Sequence, residues 1–288
     1  SLALHVAVYP CQSCMPLYYA EATGMLKALD EDIRLLHLST MEDCDTALTH
    51  HRAEVATSDI ARLLCMEKDG FQTTAIAELQ SPMQLITAKG KRITAVKQFK
   101  ERLVAMDRHS YTDFLTDEML QGTGIDQLDI FRTQFNNHML RCEMLTNILV
   151  DGALLDEPYA TLAISQGGKS IWKSNEKEQG WMVLATTPKT LNDKRIAKHI
   201  EALRQVYDKA AEALNTQPDA AAMDSLLKQR YELPIQAVDT MASLKACQYH
   251  KLNKVKMQTI EQAKNWLTTR GWIDASLSTE SIAAQATQ

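Results

Sequence analysis

Short apolar runs alternate with amphipathic stretches through the first two-thirds of the chain, the pattern of an α/β fold in which helices connect mainly parallel strands. The runs predict strands at Leu4–Val8, Ile33–His37, Glu54–Thr57, Thr73–Ala77, Met83–Thr87, Leu103–Met106, Asp129–Arg132, Val150–Leu154, Ser170–Trp172 and Met182–Thr186. Helices fit between them. Pro16 suits a first helical turn, where its missing N–H is not needed, and Leu17, Ala20, Met25, Leu26 and Leu29 run down one face after it. Thr40 followed by Glu42 and Asp43 predicts a capped helix over Asp43–His50, and Ser58 and Asp59 cap another through Met66. Ser110 starts a helix reaching Gly122, and Asn136 or Asn137 starts one reaching about Leu149.

The last third changes character. It reads as helices over Lys189–Leu214, Ala220–Arg230, Ile235–Ala246 and Lys254–Thr269, punctuated by Pro218 and Pro234. After Trp272 the residues are small and polar, which predicts a loosely held tail. No repeat or Gly/Ser-rich linker divides the chain, so two lobes would have to be joined by ordered crossings. The runs at Met83–Thr87 and Met182–Thr186 are the natural ones, which places the crossings near residues 84–90 and 180–188. Residues 1–87 and 183–288 then form one lobe, and 88–182 a lobe inserted into it.

Length allows this division, since 288 residues is comfortable for two lobes of ordinary size. With 45% hydrophobic and 23% charged residues the chain can build a real core. The formal charge of −5 is interspersed and no long basic stripe occurs, which argues against a nucleic-acid partner. The short run Lys251-Leu252-Asn253-Lys254-Val255-Lys256 reads as a solvated helix start. No apolar stretch approaches the roughly 20 residues needed to cross a bilayer. The start, Leu2 to Val8, reads as a buried strand and not as a signal peptide, as it would in a processed precursor.

Catalytic signatures are missing. Gly167-Gly168-Lys169 lacks the spacing and hydroxyl residue of a phosphate loop, and neither a G-x-S-x-G elbow nor an H-E-x-x-H motif occurs. His50 and His51 are adjacent, so they point to different sides of a helix and make a poor metal site. Cys65, Cys142 and Cys247 sit in apolar patterns as small core residues. Cys11-Gln12-Ser13-Cys14 has redox spacing, but no second pair for zinc. The segment between Val8 and Pro16 turns across the end of the first strand, so both thiols are expected at the binding edge. Facing a ligand or metal, pairing with each other, and pairing with Cys44 all stay open.

The strongest constellation is positional. Tyr9-Pro10, Ser58-Asp59, Arg108-His109-Ser110 and Asp156-Glu157-Pro158 each follow a strand end. In parallel α/β layers such ends gather along one edge, where ligands bind against free helix N–H groups. Arg108 would add a planar cationic fork. Ordinary helix capping explains each position singly. The candidate ligand set is Tyr9, Pro10, Cys11, Cys14, Ser58, Asp59, Arg108, His109, Ser110, Glu157 and Tyr159.

Several segments carry a family likeness. Residues Pro16-Leu17-Tyr18-Tyr19-Ala20-Glu21-Ala22-Thr23-Gly24-Met25-Leu26 resemble a P-x-x-x-A-x-x-x-G-x-[FL] opening helix. Thr46-Ala47-Leu48 through Ser58-Asp59 resembles an A-L-x-x-G-x-x-D-x-A element, with Arg52-Ala53 where glycine is usual. Phe99 to Met106 resembles L-K-G-K-x-V-A, and Asp151 to Pro158 resembles D-A-x-x-x-x-E-P. In order and spacing the series resembles the type II periplasmic binding proteins of the nitrate, sulfonate, taurine and thiamine-pyrimidine-precursor class. Cys11 and Cys14 are not a general feature of that class.

The resemblance implies a two-lobed α/β fold, each lobe a mainly parallel sheet flanked by helices, with a helical C-terminal part. It implies a small solute held between the lobes, an ABC-type importer permease as partner, no cofactor or metal, and no catalysis. A monomer is expected, in the periplasm or on the outer face of the membrane, secreted or lipid-anchored by a segment outside this chain. Two rivals remain. One is an enzyme on the same fold, a pyrimidine-precursor synthase or small-molecule lyase using Cys11, Cys14, His109 and Glu157. The other is a sensory or scavenging module that binds without transport.

Overall fold

The computed structural model of the chain describes residues 2–175, 180–234 and 247–288. The helix expected over 235–246 lies outside them. In chain order the elements are β1 (Leu4–Val8), α1 (Met15–Ala22), β2 (Ile33–His37), α2 (Met41–Thr49), β3 (Val55–Asp59), α3 (Ile60–Lys68) and β4 (Thr74–Glu78). Then come β5 (Gln84–Thr87), β6 (Leu103–Met106), α4 (Tyr111–Glu118), β7 (Phe131–Gln134), α5 (His138–Thr146), β8 (Gly152–Leu155), α6 (Tyr159–Ser165), β9 (Lys169–Lys173) and β10 (Met182–Thr186). The helical part holds α7 (Pro188–Leu191), α8 (Lys194–Thr216), α9 (Ala220–Gln229) and α10 (Met257–Thr269).

The strands form two five-stranded sheets, ordered β2-β1-β3-β10-β4 and β7-β6-β8-β5-β9, flanked by helices. Each is mainly parallel with one reversed strand: β10 runs antiparallel to β3 and β4, and β5 antiparallel to β8 and β9. The reversed strand is in each case the first one made after the chain changes sheets. A short connection, Leu79–Met83, leads from the end of β4 into β5, and the return falls between Lys173 and Met182. Gln84 pairs with Leu155 and Met182 with Asp59, so the apolar run at Met83–Thr87 belongs to the second sheet and Met182 to the first. An apolar run reads alike in either sheet, and the hydrogen-bond partners decide the sheet to which it belongs.

Local chemistry explains most element ends. Thr40 caps α2 by accepting from Asp43 N. That helix stops at His51, which takes φ +57° while Arg52 N donates to Ala47 O and His51 N to Leu48 O. This closing turn ordinarily uses glycine, which here is replaced by histidine. Gly24, at φ +82°, ends α1 earlier than the apolar face ran. Gly167 at φ +99° and Gly168 stop α6, and a Cβ on Gly168 would lie 2.7 Å from Ile86 Cγ2. The single helix expected over Lys189–Leu214 is two, because Asp193 accepts from Arg195 N and starts α8 afresh.

The tail after Trp272 is not loose. Ile282 is fully buried, Ala75 N donates to Ile282 O (3.1 Å), and Ser281 and Thr74 exchange hydroxyl bonds with neighbouring carbonyls. Thr287 N bonds Val255 O and Met257 N bonds Thr287 O, at 2.8 Å each. The segment meets the start of β4, the outermost strand of the first sheet, and takes up Ala75 N and Thr73 O, which would otherwise be open. One isoleucine and a free strand edge anchor it, and neither shows in the composition of the tail.

Candidate functional site

A parallel strand ends at the edge where its helix begins, and a reversed strand begins there. The ends of β1, β3, β6 and β8 and the starts of β5 and β10 therefore share one edge of their sheet, and the two edges face each other. Hydrogen bonds join them. Asp59, the last residue of β3, is fully buried and caps α3 with Oδ1 on Arg62 N; its Oδ2 accepts from Tyr111 N, the first residue of α4, both at 2.8 Å. One carboxyl thus serves the first turns of two helices on opposite sides of the seam. Burial raises its pKa to about 7, against the pull of those two N–H groups. Behind it, Asp45 accepts from Ser58 Oγ (2.6 Å) and Arg62 Nε (3.0 Å), and burial holds its carboxyl at about 6.

A second set of bonds crosses beside the first. Gln12 N donates to Asp156 Oδ2 (2.8 Å), and Gln12 Oε1 accepts from Glu157 N (3.0 Å), across the cis Glu157–Pro158 turn. Asp156 Oδ1 lies 2.8 Å from His138 Nδ1, both groups buried, and the edge of the Tyr9 ring meets the His138 ring at 5.5 Å. Arg141, one turn further along α5, is fully buried; its Nε and Nη1 donate to Phe135 O and Leu154 O, both at 2.9 Å. Together these residues enclose a gap of about 10 Å³, lined from the first sheet's side by Tyr9, Met41, Asp59 and Met182. From the second side come Asp107, Ser110, Tyr111, Thr112, His138 and Arg141, with Met83 from the connection. A space of that size holds about one water.

A larger cavity, of about 150 Å³, opens further along the seam and is lined by Pro10, Tyr18, His37, Tyr159, Tyr231 and neighbours. Tyrosines tie it together: Tyr159 Oη donates to Tyr231 O (2.9 Å) and Tyr231 Oη to Cys11 O (2.7 Å).

The expected residues divide. Tyr9, Asp59 and Ser110 line the small gap, and Pro10 and Tyr159 the larger cavity. Ser110 donates to Asp107 O and makes no side-chain cap on α4, whose first N–H, on Tyr111, goes to Asp59. Ser58 faces Asp45, and Glu157 folds back on Thr161. Arg108 is exposed and lines a separate cavity of about 400 Å³ with Phe131, Arg270 and Trp272. His109 takes φ +57° and stacks edge-on against Trp272 at 4.0 Å. That left-handed turn carries both side chains away from the small gap and toward Arg270 and Trp272 of the helical third.

Cys11 and Cys14, expected at the cleft edge, are buried at 1% exposure each and line neither the small gap nor the larger cavity, although Gln12 between them bonds across the seam. All six cysteines are free thiols. Cys14 Sγ lies 3.2 Å from Thr57 Oγ1. Burial and the Cys14 partner push Cys11 well above the ordinary thiol value, whereas Cys14, buried too but bonded by Cys11 and Thr57, sits below it. Tyr207 and Tyr231, from the helical third, donate to the carbonyls of Ser13 and Cys11 and so cover the loop.

Sequence reading missed Gln12, Asp107, His138 and Arg141. A signal existed for two of them: His138, Met139, Arg141, Cys142 and Leu145 are the buried residues of α5, and two of these five are basic. Charged groups on a buried stripe are rare unless they are partnered.

The family profile described as NMT1/THI5 like matches residues 12–221, well over half of the chain. No curated protein is similar to it in sequence. Among solved structures it is similar to the alkanesulfonate-binding protein SsuA from Xanthomonas axonopodis pv. citri bound to MOPS (TM-score 0.80, 13% identity, 98% of each chain covered). It also resembles the periplasmic aliphatic sulphonate binding protein SsuA from Escherichia coli, at TM-score 0.77 and 14% identity over 99% of this chain and 97% of that one. The periplasmic nitrate-binding protein NrtA from Synechocystis PCC 6803 matches with TM-score 0.77 and 12% identity, over 99% of this chain and 85% of its own. At such identities the likeness establishes the periplasmic-binding-protein fold. By the match over residues 12–221, the chain belongs to the NMT1/THI5-like family.

Proposed function

We propose that the protein binds a small solute at the seam between its two sheets and delivers it to an ABC-type importer on the outer face of the cell membrane. The observation that carries this reading is the seam itself. Helix N-termini and strand ends of both sheets converge on it, and the chain crosses it at Leu79–Met83 and between Lys173 and Met182. Two bodies joined in this way part and close by a hinge motion. The lobes then follow the sheets: one holds β1 to β4, β10 and the helical third, the other β5 to β9.

The gap of about 10 Å³ is too small for a solute, so this form is closed and the solute enters when the lobes separate. Tyr9, Asp59, Asp107, Ser110, His138 and Arg141 form the inner contact set, and Pro10 and Tyr159 the outer. The solute-binding names of the structural neighbours support binding over catalysis.

The test is retention. Protein prepared without unfolding is denatured, the released molecule identified, and the same molecule returned to the emptied protein. One molecule per chain, recovered unaltered, is expected, and at a hundredfold excess over Kd it stabilises the fold by about 2.7 kcal/mol. Conversion of the molecule to a product, or no bound molecule at all, would overturn the reading.

A further inference from the structure

The small gap is unusual in the groups it leaves without partners. Asp107, just beyond β6, is 4% exposed, and no donor among the described residues reaches its Oδ1. The carboxyl of Glu42, in the first turn of α2 on the other side of the seam and next to the gap-lining Met41, is close enough to push the Asp107 carboxyl up, and neither Glu42 oxygen has a donor among the described residues. Arg141 is fully buried and spends two of its nitrogens on backbone carbonyls, while Nη2 has no partner among the described residues. Buried polar groups are nearly always hydrogen-bonded, and an orphan acceptor beside an orphan donor marks where a missing molecule belongs.

We propose that the solute taken by this seam carries a cationic hydrogen-bond donor, a primary ammonium or an amidinium, seated between Asp107 and Glu42, next to an acceptor group that takes Arg141 Nη2. This rests on the solute-binding reading above. Two carboxyl groups brought together out of water cannot both stay ionised without a proton or a cation between them. In the closed form without solute the proton serves: burial first, and then Glu42, push the Asp107 carboxyl well above its usual range. An ammonium or amidinium replaces that proton with two or more charge-assisted bonds. A purely anionic solute could use Arg141, but it would leave Asp107 and Glu42 unpaired and would face Asp59 as well.

Chemical probes test this on the intact chain. Acetamidine hydrochloride and ethanolamine hydrochloride are compared with sodium methanesulfonate and sodium nitrate, each against sodium chloride of equal ionic strength, by melting temperature and calorimetry. The two cations are expected to raise the melting temperature with dose, and Asp107→Asn to weaken that binding at least tenfold. Glu42→Gln is a second variant, in case the first perturbs folding, and should act in the same direction. Stabilisation by the anions alone, with an Asp107→Asn response equal to that of the unaltered protein, would overturn the proposal and leave the solute-binding reading intact. No response to either class would overturn it too; the solute-binding reading falls with it only if natively prepared protein also releases no small molecule.

Discussion

Asp59 shows how much one residue can decide. It ends a strand, caps the helix that follows, and reaches across the seam to the first N–H of α4. Its pKa of about 7, and that of Asp45 at about 6, lie above the roughly 3.9 of an aspartate in an unfolded chain. The folded chain therefore keeps protons that the unfolded chain releases. The stability this brings is complete below about pH 4, declines as pH rises through the folded values, and is lost above about pH 7, at up to about 1.4 kcal/mol per pH unit and group. Asp59→Asn places an amide donor against one of the two N–H groups and removes one titration. We expect it to cost about 1–2 kcal/mol at pH 5 and less at pH 8, because the unaltered protein has itself lost stability by then. Denaturant midpoints at the two pH values check this, and a gap that widens toward pH 8 would contradict it. Asp59, Ser110 and Tyr9 were readable in the sequence because strand ends and caps leave local marks. Arg141 was not, since a single arginine in an amphipathic helix looks solvated until α5 is seen to turn it inward.

At the scale of elements, strand positions were almost fully legible and their sheet partners were not. β1, β2, β6 and β10 fall at the predicted residues, because an apolar run between turn residues has few other local solutions. The tail was misread for the complementary reason: what it binds is the open edge of β4, about two hundred residues earlier. Ile282 carries that contact. Ile282→Ala removes a fully buried side chain and should cost about 2–4 kcal/mol, read from the shift in a urea or guanidinium midpoint. A change below about 0.5 kcal/mol would mean that the tail holds on by its backbone bonds alone. A lowered midpoint together with self-association would be the signature of an uncovered strand edge.

Across the whole molecule the two layers are also held by a polar clamp away from the gap. Asp117 on α4 accepts from Trp266 Nε1 (2.7 Å) and Arg270 Nη2 (2.6 Å), from α10 and the residue beyond it, and also pairs with Arg132 of β7. The α10 helix packs on α3, so this carboxylate ties the first layer to the second. Trp181, on the return connection, stacks on Phe114 of α4 at 4.1 Å beside it. Hydrogen bonds to a charged group contribute about 1.5–3 kcal/mol each when buried. Asp117→Asn should therefore shift the empty protein toward the open form. Small-angle scattering would then show a larger radius of gyration than that of the unaltered chain, and the two would converge once solute is bound. Identical curves without solute would show that the clamp stiffens the layers without setting the closure equilibrium.

The sequence alone determined the α/β class, the strands, most caps and the edge at which strand ends and helix starts gather. These depend on period, turn residues and capping side chains, which act over a few residues. Tertiary structure alone decided which sheet Gln84–Thr87 joins, that Cys11 and Cys14 lie under Tyr207 and Tyr231, and that Arg108 lines a cavity with Arg270 and Trp272 instead of the small gap. It also brought Glu42 near enough to raise the Asp107 carboxyl and left Arg141 Nη2 without a partner among the described residues. Each of these is a pairing between residues distant in sequence or a side chain's direction at a left-handed turn. A chain read in one dimension carries the propensity for such contacts, while the partner that realises or blocks them is supplied by packing.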